Sequence, residues 1–119
     1  MTQQGNAVKS GLIRSSIRLR ISLKKQSEVF DLLESVREQI QFEPHCLYAR
    51  LYREANEAES VMFEELWETV EDMLCHLQSD AYRRILLAIE MADVPPDIRF
   101  DKIIQSSGFE TIVKARGGA

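Results

Sequence analysis

The chain has 119 residues, of which 45% are hydrophobic and 29% charged, and its formal net charge is −4. This length and composition are typical of one ordinary globular domain and exclude a largely disordered chain. No apolar stretch approaches the roughly 20 residues of a membrane span, and the first residues lack the apolar core of a signal peptide. We therefore expect a cytoplasmic protein with no membrane partner.

Positive charge is concentrated at the start of the chain. Residues 1–26 contain six Lys or Arg and no acid, whereas residues 28–72 contain thirteen acids and three Arg. A basic arm is one signature of nucleic-acid binding. Arg18 and Arg20, however, alternate along a predicted strand, and no aromatic residues lie between them to stack on bases. We therefore expect no nucleic-acid partner.

The first regular elements follow an aperiodic start. Residues 1–15 show no hydrophobic period, which predicts a flexible leader, and whether a short strand begins at its end stays open. From Ser16 onward polar and apolar residues alternate, and this pattern predicts the first strand. Its apolar face consists of Ile17, Leu19, Ile21 and Leu23. Ser27 is the predicted cap of a helix that must stop by about Phe42, because Pro44 follows.

Two further strands are predicted in the middle of the chain. Cys46–Arg53 alternates, with Leu47, Ala49 and Leu51 on the face that matches the core. Residues 54–60 are polar and predict a loop, and residues 61–67 predict the third strand. In that strand Glu65 and Trp67 point the same way. Which face they occupy stays open, because both faces carry one Glu and several apolar residues.

A second helical region follows the third strand. Thr69 and Asp72 resemble a capping box and predict a helix from Val70, with His76 two turns inside it. Ser79 and Asp80 predict an interruption, and Asp80 is the predicted cap of a second helical piece that ends near Met91. Pro95 and Pro96 then prevent further helix.

A fourth strand is predicted over residues 98–103, which completes the order β-α-β-β-α-β. This order indicates an α+β, ferredoxin-like split fold, with a four-stranded antiparallel sheet and both helices on one face. The domain then spans residues 16–104, and residues 105–119 form a C-terminal extension. Such a sheet leaves one face bare, and a second copy of the chain covers it by symmetry. We therefore predict a homodimer.

The sequence offers no pattern for a bound cofactor. Cys46 and Cys75 fall in different predicted elements without ligand-type spacing, so we expect reduced, packed thiols and no metal site. No Gly-rich phosphate loop, HExxH or CxxC motif occurs. We expect no cofactor.

Three segments together resemble the antibiotic biosynthesis monooxygenase (ABM) family. They are the strand EPHCLYARLY, the strand end Glu65-Leu66-Trp67, and the helical His76-Leu77-Gln78-Ser79. The resemblance spans roughly residues 17–103. It implies a ferredoxin-like domain that packs sheet on sheet into a dimeric α+β barrel. It also implies oxidation of a phenolic or quinol-like aromatic with molecular oxygen and without metal or flavin, although other members have no assigned activity.

Three positions depart from the haem-degrading relatives within that resemblance. Those relatives have a helical His where this chain has Ile85 and an Asn where it has about Ile17. They usually have Trp where His76 stands. The departures argue against haem as the substrate.

The chemistry that the resemblance implies needs a base and groups that stabilise a phenolate. His76 and Glu65 are the predicted catalytic residues, because an imidazole can move protons near neutral pH. The predicted substrate-binding residues are Trp67, Arg18, Arg50, Tyr48 and Tyr52, which would form an aromatic and polar wall.

Non-catalytic interpretations of these residues stay open. His76 can instead pair with Asp72 on the helix surface, and Trp67 can be a structural anchor. The whole protein can be a non-catalytic homodimer of the same fold that binds a small molecule, since a fold does not fix a function.

Overall fold

The protein is described here from a computed structural model that covers residues 11–118. The first strand already begins at Leu12. The segment from Leu12 to Ser15, which the sequence assigned to the leader, therefore belongs to the sheet, and the rest of that leader up to Ser10 lies outside the described residues.

Eight elements make up the described chain. In order they are β1 Leu12–Arg20, α1 Leu23–Ile40, β2 Cys46–Glu54, β3 Glu57–Trp67, α2 Val70–Leu77, α3 Tyr82–Glu90, β4 Asp97–Ile103 and α4 Phe109–Ala115. The sheet has the strand order β2-β3-β1-β4, and all its pairings are antiparallel. The predicted α+β ferredoxin-like fold is confirmed.

The hydrophobic core lies between one face of the sheet and the helices. Ile17 on β1 pairs with Phe63 on β3, and Phe63 pairs with Leu51 on β2. These side chains pack against the buried positions of α1, such as Val29 and Leu33. We call this side of the sheet the inner face and the other side, which no helix of the described chain covers, the open face.

The β2–β3 connection is shorter than the sequence predicted. Residues 54–60 were expected to form a loop, but β2 continues to Glu54 and β3 starts at Glu57, where the two residues pair. The Glu54 carboxylate accepts hydrogen bonds from Arg18 and from the Ser60 hydroxyl. Polar residues can therefore continue the strands, because their side chains find partners within the sheet.

The start of α1 also differs from the prediction. The helix begins at Leu23, so Ser27 lies inside it and is not its cap. Gln26 explains the earlier start: its buried amide Nε2 donates to the carbonyl oxygens of Ile21, at 3.1 Å, and of Ala58, at 2.6 Å. These bonds fix the first turn of the helix against the end of the sheet.

The α2 start is as predicted. Thr69 Oγ1 accepts a hydrogen bond from the Asp72 amide at 3.1 Å and donates one to Asp72 Oδ2 at 2.6 Å. Helix α2 ends at Leu77, and helix α3 begins at Tyr82. The predicted cap role of Asp80 is wrong, because Ala81 occupies the cap position and the Asp80 carboxylate lies 3.6 Å from Arg83 Nε instead.

The C-terminal elements are less covered than the rest. On β4 the inner-face side chains Ile98 and Phe100 stay exposed, and α4 has no buried residue. Between residues 11 and 118, no helix combines the length and the apolar character that crossing a membrane requires.

Candidate functional site

The sheet separates the residues that the sequence proposed for one site. Along β3 the side chains of Phe63, Glu65 and Trp67 are buried against the helices. This settles the orientation that the sequence left open: Glu65 and Trp67 are on the inner face. Tyr48 and Arg50, whose strand neighbour Ala49 is buried, lie on the open face.

Glu65, Trp67 and His76 form a buried polar cluster between β3 and α2. Their exposed fractions are 1%, 2% and 6%. Glu65 Oε2 lies 2.9 Å from His76 Nε2, and Glu65 Oε1 accepts a hydrogen bond from Trp67 Nε1 at 3.0 Å. The surface pairing of His76 with Asp72 is therefore wrong, because the helix turns His76 toward the sheet.

Aromatic rings hold the imidazole in place. The Trp67 and His76 ring centroids are 4.9 Å apart with the planes tilted by 31°. On the other side Tyr82 of α3 meets the imidazole edge to face, with centroids 5.3 Å apart. Burial raises the pKa of the Tyr82 hydroxyl to about 12, so Tyr82 stays neutral there. Its role was not foreseen from the sequence, although its place at the start of an apolar helical stripe was a usable signal.

The hydrogen bonds of Glu65 leave one ring nitrogen of His76, Nδ1, without a protein partner in the described residues. An indole N–H can only donate, so Glu65 Oε1 is an acceptor. With Glu65 ionised, Oε2 accepts as well, and Nε2 of His76 carries the proton. Nδ1 then has the free lone pair, and within residues 11–118 it has no hydrogen-bond partner.

A cavity of about 230 Å³ opens beside this cluster. His76 and Trp67 form part of its wall, so the imidazole is accessible from the cavity although it is almost fully buried. The other residues that line it are Gln39, Ile40, Glu43, His45, Asp72, Cys75, Ser79, Asp80 and Ala81. This volume is below the roughly 300 to 1,000 Å³ of ordinary ligand pockets, so the cavity is suited only to a compact molecule.

The rim of the cavity carries His45, from the loop before β2. Its Nδ1 lies 2.9 Å from Glu68 Oε1 and 3.8 Å from Asp72 Oδ2. The hydrogen bond to Glu68 and the charge of Asp72 raise the pKa of His45. His45 is exposed and pairs with rim carboxylates rather than with the buried cluster.

The two thiols differ in environment. Cys46 is buried, and burial raises its pKa to about 12. Cys75 is exposed and lines the cavity, so the expectation of two packed thiols is wrong for Cys75. It lies on the α2 side that faces outward next to His76. Within the described part of the chain, no group of three His, Cys, Asp or Glu is arranged to hold a metal ion.

The open face holds the remaining predicted binding residues in a network of its own. The Arg50 guanidinium lies 3.8 Å from the centre of the Tyr48 ring, and the Tyr48 hydroxyl donates to Glu64 Oε2 at 3.2 Å. Arg18 is bound to Glu54. Tyr48, Tyr52, Arg18 and Arg50 thus do not join Glu65, Trp67 and His76, because the sheet lies between the two groups.

Comparison with known protein families gives one match over most of the domain. The family model described as antibiotic biosynthesis monooxygenase matches residues 13–86, which is more than half of the chain. No curated protein matches the chain.

Several solved structures share the fold. A conserved protein from Methanosarcina mazei Go1 has 22% identity and a TM-score of 0.74, covering 82% of this chain and 97% of its own. A candidate antibiotic biosynthesis monooxygenase from Caulobacter crescentus CB15 has 19% identity and a TM-score of 0.73, covering 87% and 99%. The protein Rv0793 from Mycobacterium tuberculosis has 15% identity and a TM-score of 0.74, covering 82% and 100%. At these identities the likeness shows the fold alone.

Proposed function

The chain belongs to the antibiotic biosynthesis monooxygenase family, and on that premise we propose that it oxidises a small phenol or quinol with molecular oxygen, without a cofactor. The observation that carries the proposal is the buried Glu65–His76 pair, of which His76 lies in the wall of the cavity. A buried carboxylate that fixes a histidine tautomer is the arrangement that makes an imidazole an effective base.

The proposed first step is removal of the phenolic proton. The substrate hydroxyl donates to His76 Nδ1, and the proton moves to the imidazole as the phenolate forms. The imidazolium that results lies between the Glu65 carboxylate and the phenolate, and it stabilises both. Trp67 offers part of its ring as a wall against the substrate ring.

The phenolate then reacts with oxygen. It is electron-rich enough to give an electron to molecular oxygen, and one oxygen atom becomes bonded to a ring carbon. For a simple phenol the products are a quinone and water: the ring loses two hydrogens, and the second oxygen atom leaves in the water. The substrate supplies all the electrons, so this reaction needs no external reductant.

We also propose that the open face is the contact surface of a homodimer. Two copies related by a twofold axis would cover both bare sheets. Tyr48, Tyr52, Arg18 and Arg50 would then contribute to the subunit contact rather than to the substrate cavity.

The test is oxygen uptake by the metal-stripped protein with a panel of dihydroxyaromatics and quinols. We expect uptake that depends on the protein and falls by about 100-fold in His76→Ala, within the range that a general base contributes. Val29→Ala is the matched control, because Val29 is also buried but lies in the N-terminal half of α1, whereas α1 meets the cavity at Gln39 and Ile40. The control should keep the wild-type rate.

A non-catalytic, ligand-binding role is the second candidate. The observation that favours it is that no Lys or Arg is among the described residues that line the cavity, so stabilisation of a phenolate would depend on a histidine. Binding of the aromatic compounds without any oxygen uptake would replace the oxygenase proposal with this one. Wild-type rates from His76→Ala would show that His76 is not the base.

A further inference from the structure

The cavity wall has an uneven distribution of charge. Its ionisable residues besides the two histidines are the carboxylates Glu43, Asp72 and Asp80, together with the thiol of Cys75. Any positive charge on His45 is compensated at the rim, because His45 is paired with Glu68 and lies close to Asp72. A ligand therefore enters past an excess of negative charge.

Of the nearest arginines, only Arg83 partly offsets this charge, at Asp80, and Glu43 and Asp72 have no arginine partner in residues 11–118. Arg83 of α3 lies 3.6 Å from Asp80, and both side chains are largely exposed. Arg84 donates to the Ser35 hydroxyl at 2.9 Å and to the side-chain oxygen of Gln39. Neither guanidinium is part of the cavity wall.

A second feature of the cavity is a hydrogen-bonding group that a ligand can reach. The His76 side chain is only 4% exposed, and its Nε2 is bound to Glu65. Within residues 11–118 no hydrogen bond is made by Nδ1, and because Ser22 Oγ is the one fully buried side-chain polar atom without a partner there, Nδ1 is accessible rather than sealed in the core. A hydroxyl group on a ligand in the cavity would provide a partner for Nδ1.

We infer that the substrate of this cavity is a phenol without an anionic substituent, and that phenols carrying an amine bind best. The inference rests on the proposed function, because it concerns the substrate of the same site. Glu43 and Asp72 act on the substrate's charge at a distance from the reacting hydroxyl, and so they select among substrates without taking part in the proton transfer.

The physical basis is Coulombic repulsion close to a partly dry surface. Two like charges several ångströms apart, near a protein surface, change binding by about tenfold or more. Salt weakens the effect, because the Debye length is roughly 8 to 10 Å at physiological ionic strength. A carboxylate on the substrate would also lose water on entering, and no Lys or Arg is among the described lining residues to replace that water.

The experiment compares three ligands of nearly equal size: 3,4-dihydroxybenzylamine, catechol and 3,4-dihydroxybenzoate, with charges of about +1, 0 and −1 at neutral pH. Binding is measured without oxygen, so that no turnover occurs. The readout is the indole N–H resonance of Trp67 in the nitrogen-15-labelled full chain, which has a single tryptophan. That N–H is bound to Glu65 and therefore reports on the site.

We expect the amine to bind about tenfold or more tightly than the benzoate at low salt, with catechol between them and a smaller spread at high salt. In E43Q/D72N the difference in affinity among the three ligands should become smaller. The helix start should persist in this variant, because the amide oxygen at position 72 can still accept the hydrogen bond from the Thr69 hydroxyl. The matched control is E28Q/D31N, which also removes one Glu and one Asp charge, but from exposed positions in the N-terminal half of α1. This control should keep the full difference in affinity among the three ligands.

Equal binding of the three ligands, or tighter binding of the benzoate, would overturn the inference, as would the absence of any shift at Trp67. None of these results would decide the oxygenase proposal, because that proposal is judged by oxygen uptake. Conversely, affinities that fall in the order amine, catechol, benzoate, together with no oxygen uptake, would support the inferred ligand class and reject the oxygenase proposal.

Discussion

Glu65 uses both of its carboxylate oxygens inside the protein. One accepts from Trp67 Nε1 and the other faces His76 Nε2. A buried carboxylate is tolerated only when such partners replace its water. Because the indole N–H can only donate, the Glu65 oxygen that faces Trp67 must be a hydrogen-bond acceptor. If Glu65 is ionised, Oε2 can only accept, and the imidazole is then held in the tautomer with a free Nδ1.

Glu65→Gln tests this arrangement with almost no change in shape. The amide oxygen must face Trp67, so the amide NH₂ faces His76 Nε2 and forces the proton onto Nδ1. We expect the nitrogen-15 spectrum of His76 to show the opposite tautomer and oxygen uptake to fall by about 100-fold or more. Retention of the wild-type tautomer together with the wild-type rate would contradict the assigned role of Glu65.

Part of this cluster could be predicted from the sequence. Glu65 and Trp67 are two positions apart on a strand, so they must point the same way. The partnership of Glu65 with His76 could not be predicted, because it depends on how α2 crosses the sheet. Sequence spacing reveals only local partners such as Asp72, and for that reason the surface pairing was a reasonable but wrong alternative.

At the scale of elements, the junction of β3 and α2 holds the cluster together. Trp67 ends the strand, and only Glu68 and Thr69 separate it from the helix. The cap formed by Thr69 fixes where α2 begins, and His76 follows two turns later. A change in the helix start would therefore move the imidazole relative to Glu65.

Thr69→Ala should lower the free energy of unfolding by about 1 kcal/mol, the usual cost of losing a side-chain cap. The measurement is urea unfolding followed by circular dichroism. Ser27→Ala is the control, because Ser27 was the predicted cap of α1 but lies inside the helix, where alanine is the better helix former. If the two variants lost equal stability, the Thr69 hydrogen bonds would not be holding the helix start.

The element order was predictable because alternation and helical spacing are visible in the sequence. The residues at which each helix and strand begins and ends were harder to predict. The early start of α1 depends on Gln26, which bonds to carbonyls of Ile21 and of Ala58, and the latter is 32 residues away. The extension of β3 to Glu57 depends on side-chain pairs across the sheet, such as Ser60 with Glu54. Such contacts exist only in the folded chain.

At the scale of the whole molecule, the sheet divides the protein into two surfaces with different chemistry. The inner side has a cavity beside the buried Glu65–His76 pair, whereas the open face has arginines paired with glutamates around a less polar centre. Met62 is at that centre, between Arg18 on β1 and Tyr52 on β2. A face with internally paired charges and an apolar centre is suited to packing against its own copy.

Met62→Lys tests whether this face joins two subunits. Placing an ammonium group at the middle of each sheet would bring like charges into a desolvated contact, and we expect the dimer dissociation constant to rise by about 100-fold or more, equivalent to roughly 2.7 kcal/mol. Sedimentation equilibrium measures the change, with circular dichroism to verify the fold. Leu86→Lys is the matched control, because Leu86 is exposed on α3, on the helix side. A monomeric wild-type protein would reject the proposed dimer. If Leu86→Lys dissociated the dimer and Met62→Lys did not, the subunit contact would lie on the helices and not on the sheet.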